Sequence, residues 1–235
     1  TSRDHTERLL SNMGASIDIQ GLNITVKPSI IESRDIIVPG DISSAAFWMV
    51  AGSIHHDSEI MIRNVGINET RSGIISVLDR MGASLDFYDK KDYSGEPACD
   101  ILVKTSNLKG TNISGKEIPL LIDEIPIIAL AAVFAEGETI ITDAEELRYK
   151  ESDRISLTVN WMKEAGAKVE EFQDGMKIMG TNYLSGGTFS SHGDHRLAMT
   201  LGIASLFSQE SITINNHEAS NVSYPGFWDN LNNLG

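Results

Sequence analysis

Glu7-Arg-Leu-Leu-Ser-Asn-Met-Gly-Ala-Ser-Ile-Asp-Ile19 sets the design of this chain, because the same pattern returns twice. Ile75-Ser-Val-Leu-Asp-Arg-Met-Gly-Ala-Ser-Leu-Asp-Phe87 repeats it closely, and Val159-Asn-Trp-Met-Lys-Glu-Ala-Gly-Ala-Lys-Val-Glu170 repeats it loosely. Each reads as an amphipathic helix, a glycine (Gly14, Gly82, Gly166) in the left-handed position that ends it, and an alternating strand.

A second element also occurs three times. Ser43 to Asn64 is an Ala-rich helix, a turn at His55-His56-Asp57 and the strand Glu59-Ile-Met-Ile-Arg-Asn64. Asp123 to Asp143 repeats it around Ile125-Pro-Ile-Ile-Ala-Leu-Ala-Ala-Val-Phe-Ala135, and Arg196 to Asn215 around Leu197-Ala-Met-Thr-Leu-Gly-Ile-Ala-Ser-Leu-Phe207. These helices are apolar nearly all round, which predicts burial in the middle of a domain. A full unit reads strand, buried helix, strand, amphipathic helix, strand, strand. Residues 34–106 hold one unit, 107–182 a second and 183–235 most of a third. Residues 1–29 hold the last helix and two strands of an earlier one, so the expectation is a fragment that starts within a repeat. Crossovers within the units predict an α/β fold with partly parallel, mixed sheets around buried helices.

Composition narrows the function. Of 235 residues, 41% are hydrophobic and the formal charge is −14, so a sizeable core is available and a nucleic-acid or anionic-membrane binder is disfavoured. Small anionic substrates remain open, because they respond to a local cluster of Arg and Lys. The longest apolar run, Ile125 to Phe134, is too short to span a bilayer. Cys99 is the only cysteine, so no intrachain disulfide or thiolate metal cluster can form, and a cytoplasmic location fits.

Five motifs carry candidate chemistry. Lys150-Glu-Ser-Asp-Arg154 opens the third amphipathic helix, with Ser152 or Asp153 as cap; Lys150 and Arg154 are read on one helical face, where an anion between them would offset their repulsion. His192-Gly-Asp-His-Arg196 leads into the third buried helix and sets Arg196 at its N-terminus, suited to phosphate or carboxylate. A metal reading of His192 and His195 lacks a third ligand. In Leu121-Ile-Asp-Glu-Ile-Pro126, Asp123 or Glu124 is either a helix cap or a partly desolvated carboxylate suited to proton transfer. Asp41 and Ser43 read as caps, and in Thr1-Ser-Arg-Asp-His-Thr-Glu-Arg8 either Ser2 or Asp4 can cap. Arg3 there leads a positive helix end, which makes sense if an anion binds. His55 and His56 read as inert turn residues, and Trp48, Trp161 and Trp228 as core.

Ser2-Arg-Asp-His-Thr-Glu-Arg-Leu-Leu10, Pro39-Gly-Asp-Ile-Ser-Ser-Ala-Ala46, Ile122-Asp-Glu-Ile-Pro126, Glu146-Leu-Arg-Tyr-Lys-Glu-Ser-Asp-Arg154 and Asp194-His-Arg-Leu-Ala-Met199 together resemble, in order, signatures of the 5-enolpyruvylshikimate-3-phosphate synthases. The match corresponds to the C-terminal half of that family's chain. The resemblance implies an inside-out α/β architecture of βαβαββ-type units. Residues 1–33 would then end the shikimate-side domain, and residues 34–235 would form most of the phosphoenolpyruvate-side domain, which a strand from the family's N-terminus completes. It implies transfer of the enolpyruvyl group of phosphoenolpyruvate to the 5-hydroxyl of shikimate 3-phosphate, without metal or organic cofactor, in a full enzyme that is a monomer.

By the same resemblance Asp123 accepts the hydroxyl proton, Lys150 contacts shikimate 3-phosphate and carries a proton, and Glu151 shuttles the proton at the methylene carbon. Arg154 and Arg196 clamp phosphoenolpyruvate with His195 beside them, and Arg3 reaches the phosphate of shikimate 3-phosphate. Val222 stands where some relatives carry a lysine, and Glu146 is left unassigned. The alternatives are a UDP-N-acetylglucosamine enolpyruvyl transferase, or a non-catalytic half that binds the missing N-terminal half. The expectation for this chain alone is an inactive fragment.

Overall fold

The computed structural model describes residues 2–234, so Thr1 of the first motif lies outside it. The chain opens with α1 (His5–Asn12) and an antiparallel hairpin, β1 (Ser16–Gln20) and β2 (Asn23–Lys27). Asp4 stands at the head of α1 but does not cap it: its carboxylate is held by Arg8, Asn68 and Thr70. Then follow α2 (Ile42–Ile54), β3 (Glu59–Gly66), α3 (Gly73–Arg80), β4 (Ser84–Tyr93) and β5 (Glu96–Lys104). The three strands form an antiparallel sheet in the order β3-β5-β4.

The next stretch runs β6 (Asn112–Ile113), α4 (Ile118–Leu121), α5 (Ile125–Val133), β7 (Glu138–Ile141), α6 (Arg154–Glu164), β8 (Lys168–Phe172) and β9 (Gly175–Met179). Its four-stranded sheet, β6-β7-β9-β8, pairs β6 with β7 in parallel and the rest antiparallel. Last come β10 (Gly187–Ser190), α7 (His195–Ala204), β11 (Ile212–Asn215) and α8 (Phe227–Asn233), with β10 and β11 paired in parallel across α7. The sheets are therefore mixed, as the crossovers require.

Helices α2, α5 and α7 pack on one another in the middle, and every residue of α5 is buried. The sheets and the amphipathic helices lie outside them, an inside-out arrangement in which the most apolar segments are helices. Gly14, Gly82 and Gly166 end α1, α3 and α6 at φ of 91°, 88° and 83°, the region that side chains rarely enter. Phe227 of α8 is fully buried against α2, its ring 5.4 Å from Trp48 and stacked, while Tyr224 accepts a hydrogen bond from Trp48 Nε1 at 3.0 Å. Among the described residues no helix is long and apolar enough to cross a membrane.

One expected strand is missing. The repeat predicts a strand opening the unit at residue 34, yet residues 28–39 carry none and Ile36, Ile37 and Val38 are exposed. The neighbouring edge, β3, bulges between Ile62 and Val65 with Asn64 at φ 54°, so the ladder holds only at the Gly40–Val65 bridge. Pro39 also lacks the N–H that would extend it.

Candidate active site

Helices α2, α5, α6 and α7 bring their N-termini to one face of the domain, and each start is built from the sequence immediately before it. Asp41 caps α2 by accepting from the Ser43 amide, Asp153 caps α6 through the Ser156 amide, and Asp194 caps α7 through the Arg196 amide at 2.8 Å. Four helix N-termini on one face make a positive field that favours anions. The start of α5 differs: Glu124 occupies the cap position, but neither it nor Asp123 caps with its side chain. Capping, one of the two readings open for this pair, is thereby excluded.

Asp123 sits at the centre of the site, 18% exposed at its side chain. Arg3 Nη2 donates to it at 2.7 Å, Arg154 Nη1 at 3.1 Å, and Lys150 Nζ stands 3.9 Å away. Burial alone would raise the Asp123 carboxyl. Arg196, then Lys150, Arg3 and Arg154, outweigh it and hold the group below the usual carboxylate range. The four basic residues expected to bind substrate are thus gathered around one ionised carboxylate.

Their accessibility differs. Arg154 is 1% exposed, and its guanidinium donates to Asp194 at 2.8 Å, to Asp123 and to Glu151 at 2.6 Å. Asp194 is fully buried, so this ion pair lies inside the protein. Arg196 is 8% exposed and much less occupied: Nη1 lies 3.5 Å from Glu124 Oε1, and Nε is buried with no partner among the described residues. A buried guanidinium N–H without an acceptor costs free energy that a bound anion would recover. Lys150 pairs with Glu146 at 2.7 Å, and Arg3 also donates to the Pro119 carbonyl. His195 is half-buried; burial, then the neighbouring Arg196, lowers its pKa, and its Nδ1 lies 4.0 Å from Glu151. Val222 is well exposed.

Lys150 and Arg154 do not share a helical face. Asp153 takes extended-side geometry, ψ 86°, and caps the helix, so α6 begins only at Arg154 and Lys150 lies in the loop before it. The two cations meet at Asp123 through that loop. Arg148 fastens the loop by donating to Asp153, Ser156 and Glu171 and to the Phe172 and Gln173 carbonyls.

The sequence reading missed a second circuit. Glu124, 2% exposed, accepts a hydrogen bond from Ser43 Oγ, and Ser43 Oγ accepts from Arg71 Nη2 at 2.8 Å. Burial pushes the Glu124 carboxyl up despite Arg196 and Ser43. Arg71 also reaches Asp41, and its Nε is buried without a partner among the described residues. The repeat carried the signal: Arg3, Arg71 and Arg154 each stand at or just ahead of an amphipathic helix. Among the described residues no group of three or more His, Cys, Asp or Glu could hold a metal ion.

Four basic side chains around an ionised carboxylate suit anionic substrates, and several curated proteins similar to this chain share the name of one transferase. A 3-phosphoshikimate 1-carboxyvinyltransferase from Gloeothece citriformis is 51% identical over 99% of this chain and 53% of its own length. The Bacillus subtilis protein of the same name is 48% identical over 99% of this chain and 55% of its own. The chain therefore spans about half the length of the curated relatives it matches. A solved EPSP synthase from Acinetobacter baumannii matches with a TM-score of 0.96 at 39% identity, covering 100% of this chain and 55% of that one. The enolpyruvyl transferase NikO from Streptomyces tendae matches at 0.76 and 21% identity over 98% of this chain and 52% of its own, a likeness of fold. A family model described as EPSP synthase (3-phosphoshikimate 1-carboxyvinyltransferase) matches residues 1–231, and the chain belongs to that family.

Proposed function

We propose that this chain forms one wall of a site that transfers the enolpyruvyl group of phosphoenolpyruvate to the 5-hydroxyl of shikimate 3-phosphate. The observation that carries the reading is Asp123, ionised and surrounded by Arg3, Lys150, Arg154 and Arg196. A carboxylate held below its usual pKa is a weak base in isolation, but it lies among cations that two anionic substrates would engage. As they bind, the cations turn toward phosphate and carboxylate and Asp123 regains basicity.

The addition step joins the 5-oxygen to C2 of phosphoenolpyruvate while C3 gains a proton, giving a tetrahedral phosphoketal. Asp123 takes the hydroxyl proton, and Glu151, which enters the step protonated from solvent once it has left Arg154, delivers one to C3. In the elimination Glu151 recovers a proton from C3, the C2–O bond to phosphate breaks, and inorganic phosphate leaves with the proton that Lys150 relays from Asp123. Arg196 receives the phosphoenolpyruvate anion through its unpartnered Nε. Arg154 joins the clamp when Glu151, 53% exposed, swings from its guanidinium toward C3. His195, its protonation disfavoured, stays a neutral neighbour. Fixed charges of this kind stabilise a transition state without reorganising. Most of the shikimate-phosphate side of the cleft belongs to the rest of the protein. Residues 1–33 are the end of that domain and 34–235 most of the facing one, in a monomeric cytoplasmic enzyme that uses no cofactor.

Asp123→Asn in the full-length enzyme tests the base. Asn keeps the size of the side chain and one acceptor oxygen, but its amide takes up no proton and cannot accept from Arg3 and Arg154 on both sides. Turnover in a phosphate-release assay should fall roughly 100- to 10,000-fold with little change in the Michaelis constants. Near-normal turnover would remove Asp123 from the chemistry.

A further inference from the structure

We propose that Glu124 is a positioning residue for the anion site: tied to Ser43 and Arg196 at the mouths of three buried helices, it holds the Arg196 guanidinium with Nε left for the ligand. This rests on the reading of Arg196 as a phosphoenolpyruvate contact.

Asp123 and Glu124 are neighbours in sequence but belong to separate circuits. Asp123 takes Arg3, Arg154 and Lys150, whereas Glu124 takes Ser43 and Arg196. Through Ser43 the second circuit continues to Arg71 and Asp41, so one hydrogen-bonded line runs Asp41–Arg71–Ser43–Glu124–Arg196. Ser43 lies in the first turn of α2, Glu124 heads α5, and Arg196 lies in the first turn of α7. Glu124 is thus the one side chain in that line that joins all three helix starts.

Its burial keeps water from competing for Oε1. It makes no capping hydrogen bond, so helix initiation does not account for it. It engages only one terminal nitrogen of Arg196. Nε therefore remains buried, donor-competent and without a partner among the described residues. A guanidinium anchored at one end presents its remaining N–H groups at a fixed angle, which suits paired contact with a carboxylate or phosphate. The carboxyl is raised by burial, so a neutral acceptor at this position serves the same geometry.

The test uses the full-length enzyme and steady-state kinetics with each substrate varied separately. Glu124→Ala should raise the Michaelis constant for phosphoenolpyruvate roughly tenfold or more and leave that for shikimate 3-phosphate within about threefold. Glu124→Gln, which keeps the acceptor for Ser43 and Arg196, should restore most of the loss. An unchanged constant for phosphoenolpyruvate, an equal rise for both substrates, or Gln as damaging as Ala would overturn the assignment. If the Ala variant does not fold by circular dichroism, Glu124→Asp takes its place; its shorter reach should produce the same selective rise, and unaltered kinetics would overturn the idea. If the parent enzyme releases no phosphate, the activity reading fails by itself. Calorimetric binding of inorganic phosphate then decides the positioning role: weaker binding in the variant than in the parent supports it, and equal binding overturns it.

Discussion

Asp194 and Arg154 form an ion pair buried from solvent, and that separates two arginines the sequence presents as equivalents. Removing one partner of a buried pair leaves the other charge without compensation, at a cost of about 3–5 kcal/mol. Arg154→Ala should therefore lower the melting temperature sharply, seen in thermal unfolding. Arg196→Ala, whose buried partner Glu124 is already pushed toward its neutral form, should lower it less and raise the phosphoenolpyruvate Michaelis constant, by about 1.5–3 kcal/mol of lost charge-assisted hydrogen bonding. Similar melting temperatures for the two variants would show that burial does not divide their roles. Away from the site, Asp4 offers a pH test. Burial opposes its ionisation, but hydrogen bonds from Arg8, Asn68 and Thr70 prevail, and its pKa falls from 3.8 to about 2. A group depressed on folding adds stability that is complete above its unfolded pKa and is lost as pH falls through the folded one. Asp4→Asn should thus destabilise the protein by about 1–2 kcal/mol at pH 7, with the difference shrinking between pH 4 and 2 in denaturant titrations. A gap independent of pH would assign the effect to packing instead.

Helices and their ends were the most legible elements, because each has a local cause. The three terminating glycines adopt the left-handed conformation their position implied, and the three apolar segments are the buried helices. Legibility failed where a neighbour distant in sequence decides the outcome. Residues 34–38 look like a strand but face a bulged edge, and Lys150 falls outside α6 because Asp153 caps the helix one residue before Arg154. That Asp123, Lys150, Arg154 and Arg196 stand in signature motifs is legible in advance. Arg71 and the partners of Ser43 and Glu124 are not, since their contacts join segments 28 to 81 residues apart. Close packing of strands gives a prediction at this scale. A side-chain carbon on Gly175, where β9 begins, would lie 1.9 Å from the Ile141 carbonyl oxygen of β7. Backbone cannot yield there without breaking the β7–β9 ladder, so Gly175→Ala should cost at least about 1–3 kcal/mol. By contrast a carbon on Gly226 meets nothing within 4 Å, and Gly226→Ala should change the melting temperature little. Equal shifts for the two variants would refute the packing argument.

Across the whole molecule the polarity is uneven. A chain of net charge −14 concentrates its buried arginines at one face, and at one end it exposes Leu22, Ile24, Val26, Ile30, Ile37 and Val38. An isolated two-stranded hairpin such as β1–β2 is marginal in water, and no residue of α1 is buried. Apolar surface of that kind is characteristic of a face that packs against something else. The curated relatives are about twice as long as the segment they share with this chain, and on the proposed reading their remaining length would cover that face. On the same reading the anion site is one wall of a cleft, with Arg3 and Lys150 partly open to solvent. Positioning two substrates for reaction requires both walls of a cleft. This chain by itself is therefore expected to release no measurable phosphate from phosphoenolpyruvate and shikimate 3-phosphate. Mixed with a second polypeptide matching the part of its relatives that it does not span, it should bind that partner and regain at least part of the activity. Calorimetry follows the association and phosphate release follows the chemistry. Turnover by the chain alone at ordinary enzyme rates would mean that one wall suffices. Failure of the two pieces to bind or to react would mean that the exposed apolar face has another purpose.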